Sequence, residues 1–152
     1  MKRDAVEIVA ATLAIVLGAA CEEMLPKFLG AGAPFLLMAA IFWAARRSSM
    51  SAIIFAIAAG AAEDAISALP FAASITFFAL LAVFVLKTSF VWSVFALAYP
   101  AYQLWLGMWC GQPADGIFSR FLVSLPVGML TAGAVFATLS WMERKGAMNA
   151  AA

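Results

Sequence analysis

Two adjacent carboxylates, Glu63 and Asp64, stand inside otherwise apolar sequence and are the residues best placed to do chemistry. Ser67 and Pro70 follow within a few residues, and apolar runs flank this centre on both sides over residues 50–87. A carboxylate set in apolar sequence is costly to bury, so it usually has a partner or a function. The stretch is therefore predicted to be a helical hairpin with an acidic turn, and Pro70 is predicted to end the helix before it.

The two carboxylates cannot face the same neighbour, because successive helical residues point about 100° apart. Asp64 shares a helix face with Gly60 and Ser67, so it is the better candidate for a partner inside the protein. Solvated acids at an exposed turn and a specific packing or binding site both remain open as interpretations. A proton or ion relay is not favoured, because it needs a chain of such groups and helices one, five and six offer none near their middles.

Several kinds of catalysis are excluded by the residue types that the chain lacks. It has no histidine and two cysteines far apart, so no zinc pattern and no Ser–His site can form. No glycine-rich phosphate loop is present. The sequence therefore predicts no catalytic residue, no metal site and no cofactor. Cys21 and Cys110 map to the same side of the predicted bundle, where a disulfide or two small apolar residues are alternatives.

Composition places the chain among integral membrane proteins. Hydrophobic residues make up 66% of its 152 residues and charged residues 11%, against roughly 25% charged in soluble domains. The mean hydropathy is +1.04. No polar segment is long enough for a second domain, so residues 1–152 are predicted to form one polytopic membrane domain.

The apolar runs predict an all-α bundle of six transmembrane helices. The second is short, since 11 residues rise only about 16 Å in a helix, unless it begins near Phe28, and a re-entrant second segment would leave five spans. Pro100 is expected to kink the fifth helix. The predicted helices cover residues 6–21, 35–45, 51–69, 71–86, 90–109 and about 118–142.

The distribution of lysine and arginine predicts the orientation. Basic residues concentrate on the cytoplasmic side of membrane proteins, and six spans divide those of this chain unequally. We therefore expect both termini in the cytoplasm. One side receives Lys2, Arg3, Arg46, Arg47, Lys87, Arg144 and Lys145, and the other Lys27 and Arg120.

Small residues at helical spacing predict close contacts between helices, because they let two backbones approach. Ala56 and Gly60 form one such pair in the third helix. Two further pairs lie on adjacent faces of the sixth helix: Gly128 with Ala132, and Gly133 with Ala137.

The order of these features resembles the rod shape-determining protein MreD family. The resemblance covers most of the chain in layout: a basic start, a first helix ending in acids, a proline-led second helix and an arginine-marked loop. In residues it is confined to about 60–74, where glycine, aspartate, serine and proline recur at the family's spacing. The residues that carry it are Gly60, Asp64, Ser67, Leu69 and Pro70.

The resemblance implies a non-enzymatic subunit of the bacterial cell-elongation complex in the inner membrane. Such a subunit binds the bitopic protein MreC and, through it, the actin-like MreB and the peptidoglycan synthases. The family's fold is similar to that of the substrate-binding subunits of energy-coupling-factor transporters. Membrane lipid is the other expected partner, and no nucleic acid partner is predicted. The oligomeric state stays open.

An alternative of a different class is a substrate-binding subunit of a vitamin-type transporter. It requires a pocket that opens outward between the helices, and the polarity of the interior distinguishes it from an assembly protein. A small dimeric multidrug exporter fits less well, because its essential carboxylate lies at the middle of the first helix, whereas Glu22 and Glu23 stand at the end. The candidate pocket residues are Asp64, Ser67, Tyr99, Tyr102 and Gln103.

Overall fold

Six α-helices and no strand make up the part of the chain that the computed structural model describes, residues 2–25, 32–70, 72–88, 91–111 and 114–150. The predicted all-α fold is confirmed. The helices are α1 (Lys2–Met24), α2 (Phe35–Arg46), α3 (Ser49–Ile66), α4 (Ala73–Lys87), α5 (Val91–Trp109) and α6 (Ala114–Ala150).

The end of α3 is set by its own last turn and not by the proline. Ser67 donates its backbone N–H to the carbonyl of Glu63, and Leu69 donates to the carbonyl of Asp64, while Ala68 takes a left-handed φ of 49°. This is the pattern of a Schellman cap, which closes a helix with one left-handed residue. The helix therefore ends at Ile66, three residues before the predicted end at residue 69.

The short second helix lies at the centre of the bundle. It packs against all five other helices, and residues 36–44 are buried without interruption. A helix that is apolar on every side is stable only when other helices surround it. Helix α2 begins at Phe35, and residues 32–34 before it are not helical. The alternative prediction of a longer second helix that begins near Phe28 is therefore wrong, although Phe28 itself lies outside the described part of the chain.

Two prolines lie inside helices. The helix α5 continues through Pro100, which is buried, and α6 continues through Pro126. The latter helix also extends to Ala150, well beyond the predicted end at Met142. Good helix formers such as glutamate, arginine, lysine and alanine follow Met142, and no proline interrupts them. The predicted start of helix four at Phe71 falls on a residue outside the described ones.

Two helical segments are long and apolar enough to cross a membrane, namely Ser49–Ile66 and the Phe118–Met142 part of α6. The helices α2 and α4 are apolar but shorter. Large apolar side chains are exposed along α1, as at Val9, Val16 and Leu17, and also on α5 and α6. The exposed surface of the bundle is therefore rich in apolar groups.

The charged side chains separate to two ends of the bundle. We call the end with Glu22 and Glu63 the acidic end, and the opposite end, with Arg46, Arg47 and Lys87, the basic end. At the basic end the guanidinium of Arg46 lies 5.4 Å from the ring centroid of Phe42, and that of Arg47 lies 5.2 Å from Trp43. The candidate site is at the acidic end.

Candidate functional site

Asp64 joins the end of α3 to the beginning of α4. Its Oδ1 accepts the backbone N–H of Ser74 at 2.8 Å, and its Oδ2 accepts that of Ile75 at 3.5 Å. These are the second and third residues of α4, whose N–H groups have no partner within the helix. The usual N-cap position holds Ala72, which has no side-chain acceptor and a φ of 67°. Asp64 thus supplies from another helix the cap that α4 lacks.

Gly60 lies one turn before Asp64, where α3 approaches the backbone of α4. A Cβ at this position would lie 2.7 Å from the Cα of Ile75 and 2.9 Å from the carbonyl carbon of Ser74. Both are backbone atoms that cannot turn aside. Glycine is therefore required here by the close approach of the two helices, and Ala56 on the same face is fully buried.

The helix α5 is hydrogen-bonded to the beginning of α4. The hydroxyl of Tyr102 hydrogen-bonds that of Ser74, and Nε1 of Trp105 donates to the carbonyl of Ala73 at 2.9 Å. Ser74 and Tyr102 are both buried. Together with Asp64, these residues form a buried polar cluster that fixes α3, α4 and α5 to each other, and we call this cluster the hairpin lock.

Glu63 and Ser67 lie outside the hairpin lock. The Ser67 hydroxyl donates to Oε1 of Glu63 at 3.0 Å, although the helix face predicted from spacing pairs Ser67 with Asp64. Ser67 lies four residues after Glu63 and three after Asp64, and both spacings place side chains on a shared helix face. Asp64 therefore acts on the start of α4, whereas Ser67 acts within the last turn of α3. Pro70 is exposed and its carbonyl accepts the N–H of Ala73 at 3.1 Å.

A cavity of about 230 Å³ opens beside this junction at the acidic end. Four of the five residues predicted to line a pocket do so, and the fifth, Asp64, is instead part of the hairpin lock. Side chains of α1, α2, α3, α4, α5 and α6 contribute to the wall. Its polar side chains are Glu22, Glu23, Glu63, Ser67, Tyr99, Tyr102, Gln103 and Arg120.

Glu22 connects α1 to this wall. Its Oε1 accepts the backbone N–H of Leu36 at 2.7 Å, and its carboxyl also hydrogen-bonds the side chain of Glu63. Two carboxyl groups can hydrogen-bond to each other only when one of them carries a proton. Burial and the neighbouring Glu63 carboxyl raise the pKa of Glu22, which favours a proton on Glu22 next to the cavity.

Tyr99 forms the opposite wall and is held on two sides. Its hydroxyl donates to the carbonyl of Gly32 at 2.6 Å. On the other side, a Cβ at Gly128 of α6 would lie 3.0 Å from the Cβ of Tyr99. The small residue in α6 thus lets that helix approach α5, as predicted, and Ala132 in the same pair is buried.

The second small pair of α6 does not make the predicted contact within this chain. Gly133 and Ala137 are exposed, and a Cβ at Gly133 would meet no atom within 4 Å. They face outward because α6 contacts its neighbours along one side only. Cys21 and Cys110 are free and exposed, which excludes both their disulfide and their burial in this structure.

Sequence reasoning placed Glu22 and Arg120 at the acidic side but did not assign them to a site. Ser74 was missed altogether, since a serine inside an apolar run resembles many others. Glu22 could have been predicted as a site residue from its position at the end of a helix, because in a six-helix bundle that end lies at the same side as Glu63.

The fold and site define a class: a six-helix bundle with a buried polar lock and an adjacent polar cavity. Among the described residues, no group of three or more His, Cys, Asp or Glu side chains is placed to hold a metal ion. Comparison with protein-family models, curated proteins and solved structures finds no match.

Proposed function

We propose that the chain is a multi-pass protein of the bacterial inner membrane, with six spans and both termini in the cytoplasm. The exposed apolar side chains of α1, α5 and α6 support this placement, as does the separation of acidic and basic ends. The short helix α2 fits such a bundle. Because its side chains are enclosed by other helices, it need not match the full ~30 Å thickness of the hydrocarbon core.

We further propose that it serves as a non-enzymatic assembly subunit of the cell-elongation complex, in the manner of the MreD family. The observation that carries this is the hairpin lock. Gly60 and Asp64, two of the five residues that carry the resemblance, contact the backbone of α4 and are not among the lining residues of the cavity, whereas Ser67 and Leu69 are. Residues used in this way preserve a shape that a partner recognises, and the predicted direct partner is a bitopic protein of the MreC kind.

Affinity purification of the tagged full-length chain from its native membrane in mild detergent tests this proposal. Wild type is compared with Asp64→Ala and with Gly133→Ala, which changes an exposed site away from the lock. We expect an MreC-like protein or wall synthases to co-purify with wild type and Gly133→Ala, and less with Asp64→Ala. Recovery of a nucleotide-binding cassette pair with a transmembrane coupling subunit would overturn the assembly proposal.

The second candidate is a substrate-binding subunit of a small-molecule transporter. The cavity is the observation that favours it, because its wall includes Ser67, Tyr99, Tyr102 and Gln103. An assembly protein does not need a polar cavity, whereas a binding subunit does. The co-purifying chains distinguish the two functions, since only a transporter subunit requires an ATP-hydrolysing partner.

A further inference from the structure

Three carboxyl groups line the cavity at the acidic end, beside one glutamine and one arginine among the described residues. A carboxyl group can accept several hydrogen bonds, and those of Glu22 and Glu63 face the cavity together. The hydroxyl donors of its wall are already used: Ser67 donates to Glu63, and Tyr99 donates to Gly32. A molecule that brings donors of its own is therefore complementary to this wall.

The opposite wall is aromatic. Phe78, Tyr99 and Tyr102 line the cavity, and each is almost fully buried. The two tyrosine hydroxyls are bonded to Gly32 and Ser74, so the rings contribute apolar surface and π electrons rather than polar groups. Aromatic rings attract organic cations, particularly where water is excluded.

The charges around the cavity are contributed by three helices. Glu22 and Glu23 come from α1, Glu63 from α3 and Arg120 from α6. Helix α5 adds two tyrosines, while the residues that α2 and α4 place in the wall carry no charge. Three carboxyl groups thus face one guanidinium, and the balance favours a positively charged occupant.

We propose that this cavity binds a small organic cation, a primary ammonium compound of a few carbon atoms. The ammonium group displaces the proton on Glu22 and binds between the carboxyl groups of Glu22 and Glu63, and its carbon chain lies against the aromatic wall. The proton leaves to the solvent, so one positive charge enters as another departs. At about 230 Å³ the cavity is smaller than the ~300–1,000 Å³ pockets of drug-sized ligands, which limits the occupant to a short chain.

This inference goes beyond the assembly function and does not depend on the identity of any protein partner. It is tested by isothermal titration of the purified full-length chain in detergent. The probe is 1,4-diaminobutane, and the control is 1,4-butanediol, which has the same length and no charge. Titrations in two buffers with different heats of ionisation measure the protons released on binding.

We expect saturable binding of the diamine, at least about tenfold tighter than that of the diol, because charge-assisted hydrogen bonds are the stronger ones. Binding releases protons in wild type. Glu63→Gln weakens binding about tenfold, since the ammonium group loses one of its two carboxyl partners. Glu23→Gln makes the same chemical change at an exposed side chain of the cavity mouth, and weakens binding less than about fivefold.

Three results would overturn the proposal: no saturable binding of the diamine, equal binding of the diamine and the diol, or equal losses from Glu63→Gln and Glu23→Gln. Should Glu63→Gln fail to fold, the preference for the diamine and the proton release are still measured in wild type. Absence of proton release there would exclude displacement at the Glu22 and Glu63 pair. None of these readouts involves a co-purifying protein, so failure here leaves the assembly proposal to its own test.

Discussion

Substituting Gly60 by alanine tests whether the close approach of α3 and α4 holds this bundle together. The added methyl group would lie 2.7 Å from the Cα and 2.8 Å from the backbone nitrogen of Ile75. Real Cβ atoms do not approach other atoms so closely, and neither neighbour is a side chain that can rotate away. Relief of the clash must therefore separate the two helices and lengthen the bonds from Asp64 to Ser74 and Ile75.

The magnitude follows from two opposing terms. Overpacking a well-packed interior costs about 1–3 kcal/mol, whereas replacing glycine by alanine inside a helix gains about 0.5–1 kcal/mol. Because the obstacle at Gly60 is backbone, we take the upper part of the first range and expect a net loss of about 1–2 kcal/mol. For a chain of this size that lowers the unfolding midpoint by roughly 2–8 °C.

Gly133→Ala is the matched control, since the chemical change is the same and the site is also inside a helix. No atom lies within 4 Å of a Cβ there, so only the helix-propensity gain remains. We expect the unfolding midpoint to stay the same or to rise by up to about 4 °C.

The assay is thermal unfolding of the purified chain in mild detergent, followed by circular dichroism, for wild type and both variants under identical conditions. We expect a lower midpoint for Gly60→Ala and an unchanged or higher midpoint for Gly133→Ala, although the chemical change is the same. The close approach of α3 and α4 at Gly60 is refuted as the cause if Gly60→Ala melts at or above the temperature of wild type, or if both variants shift in the same direction by the same amount.

Three further predictions concern the lock and the orientation. Asp64→Asn keeps one acceptor but loses the charge at the start of α4, and should destabilise by about 1–2 kcal/mol in the same melting assay; an unchanged midpoint would contradict the capping role. Tyr102→Phe leaves the buried hydroxyl of Ser74 without this partner and should cost about 1–3 kcal/mol, whereas a neutral result would mean that water replaces the bond. Cys21 and Cys110 are free and exposed, so both should react with a maleimide in the folded protein. Both should also react with a membrane-impermeant maleimide that is added to intact spheroplasts. Labelling that occurs only after lysis would show that the orientation is the reverse of the one proposed.

Much of the helical architecture follows from local sequence. Long apolar runs separated by turn-forming and charged residues predict helices, and all six begin within four residues of the predicted position. The ends were less predictable. Ala68 adopts a left-handed conformation and ends α3 before Pro70. Such a helix end is usually predicted from a glycine, and α3 has an alanine at this position.

The candidate site was predictable only in part, for a physical reason. Burial of Asp64 follows from a carboxylate on the small-residue face of an apolar helix, and a single helix face can be deduced from spacing. The partner of Asp64 could not be deduced in the same way. The N–H of Ser74 is available to Asp64 because Ala72, at the N-cap position of α4, has no side-chain acceptor and because α4 starts beside α3. That coincidence depends on how two helices pack, not on either sequence alone.

Local sequence is sufficient to predict that this chain forms apolar helices, because periodicity and composition act within each segment. It also predicts where the charges collect, because they are excluded from apolar runs. Three features depend on tertiary packing: the shortest helix lies at the centre, Glu22 lies beside Glu63, and a cavity lies between these two residues and the tyrosines of α5. These are contacts between segments remote in the chain, and their free energy depends on the packing of the whole bundle.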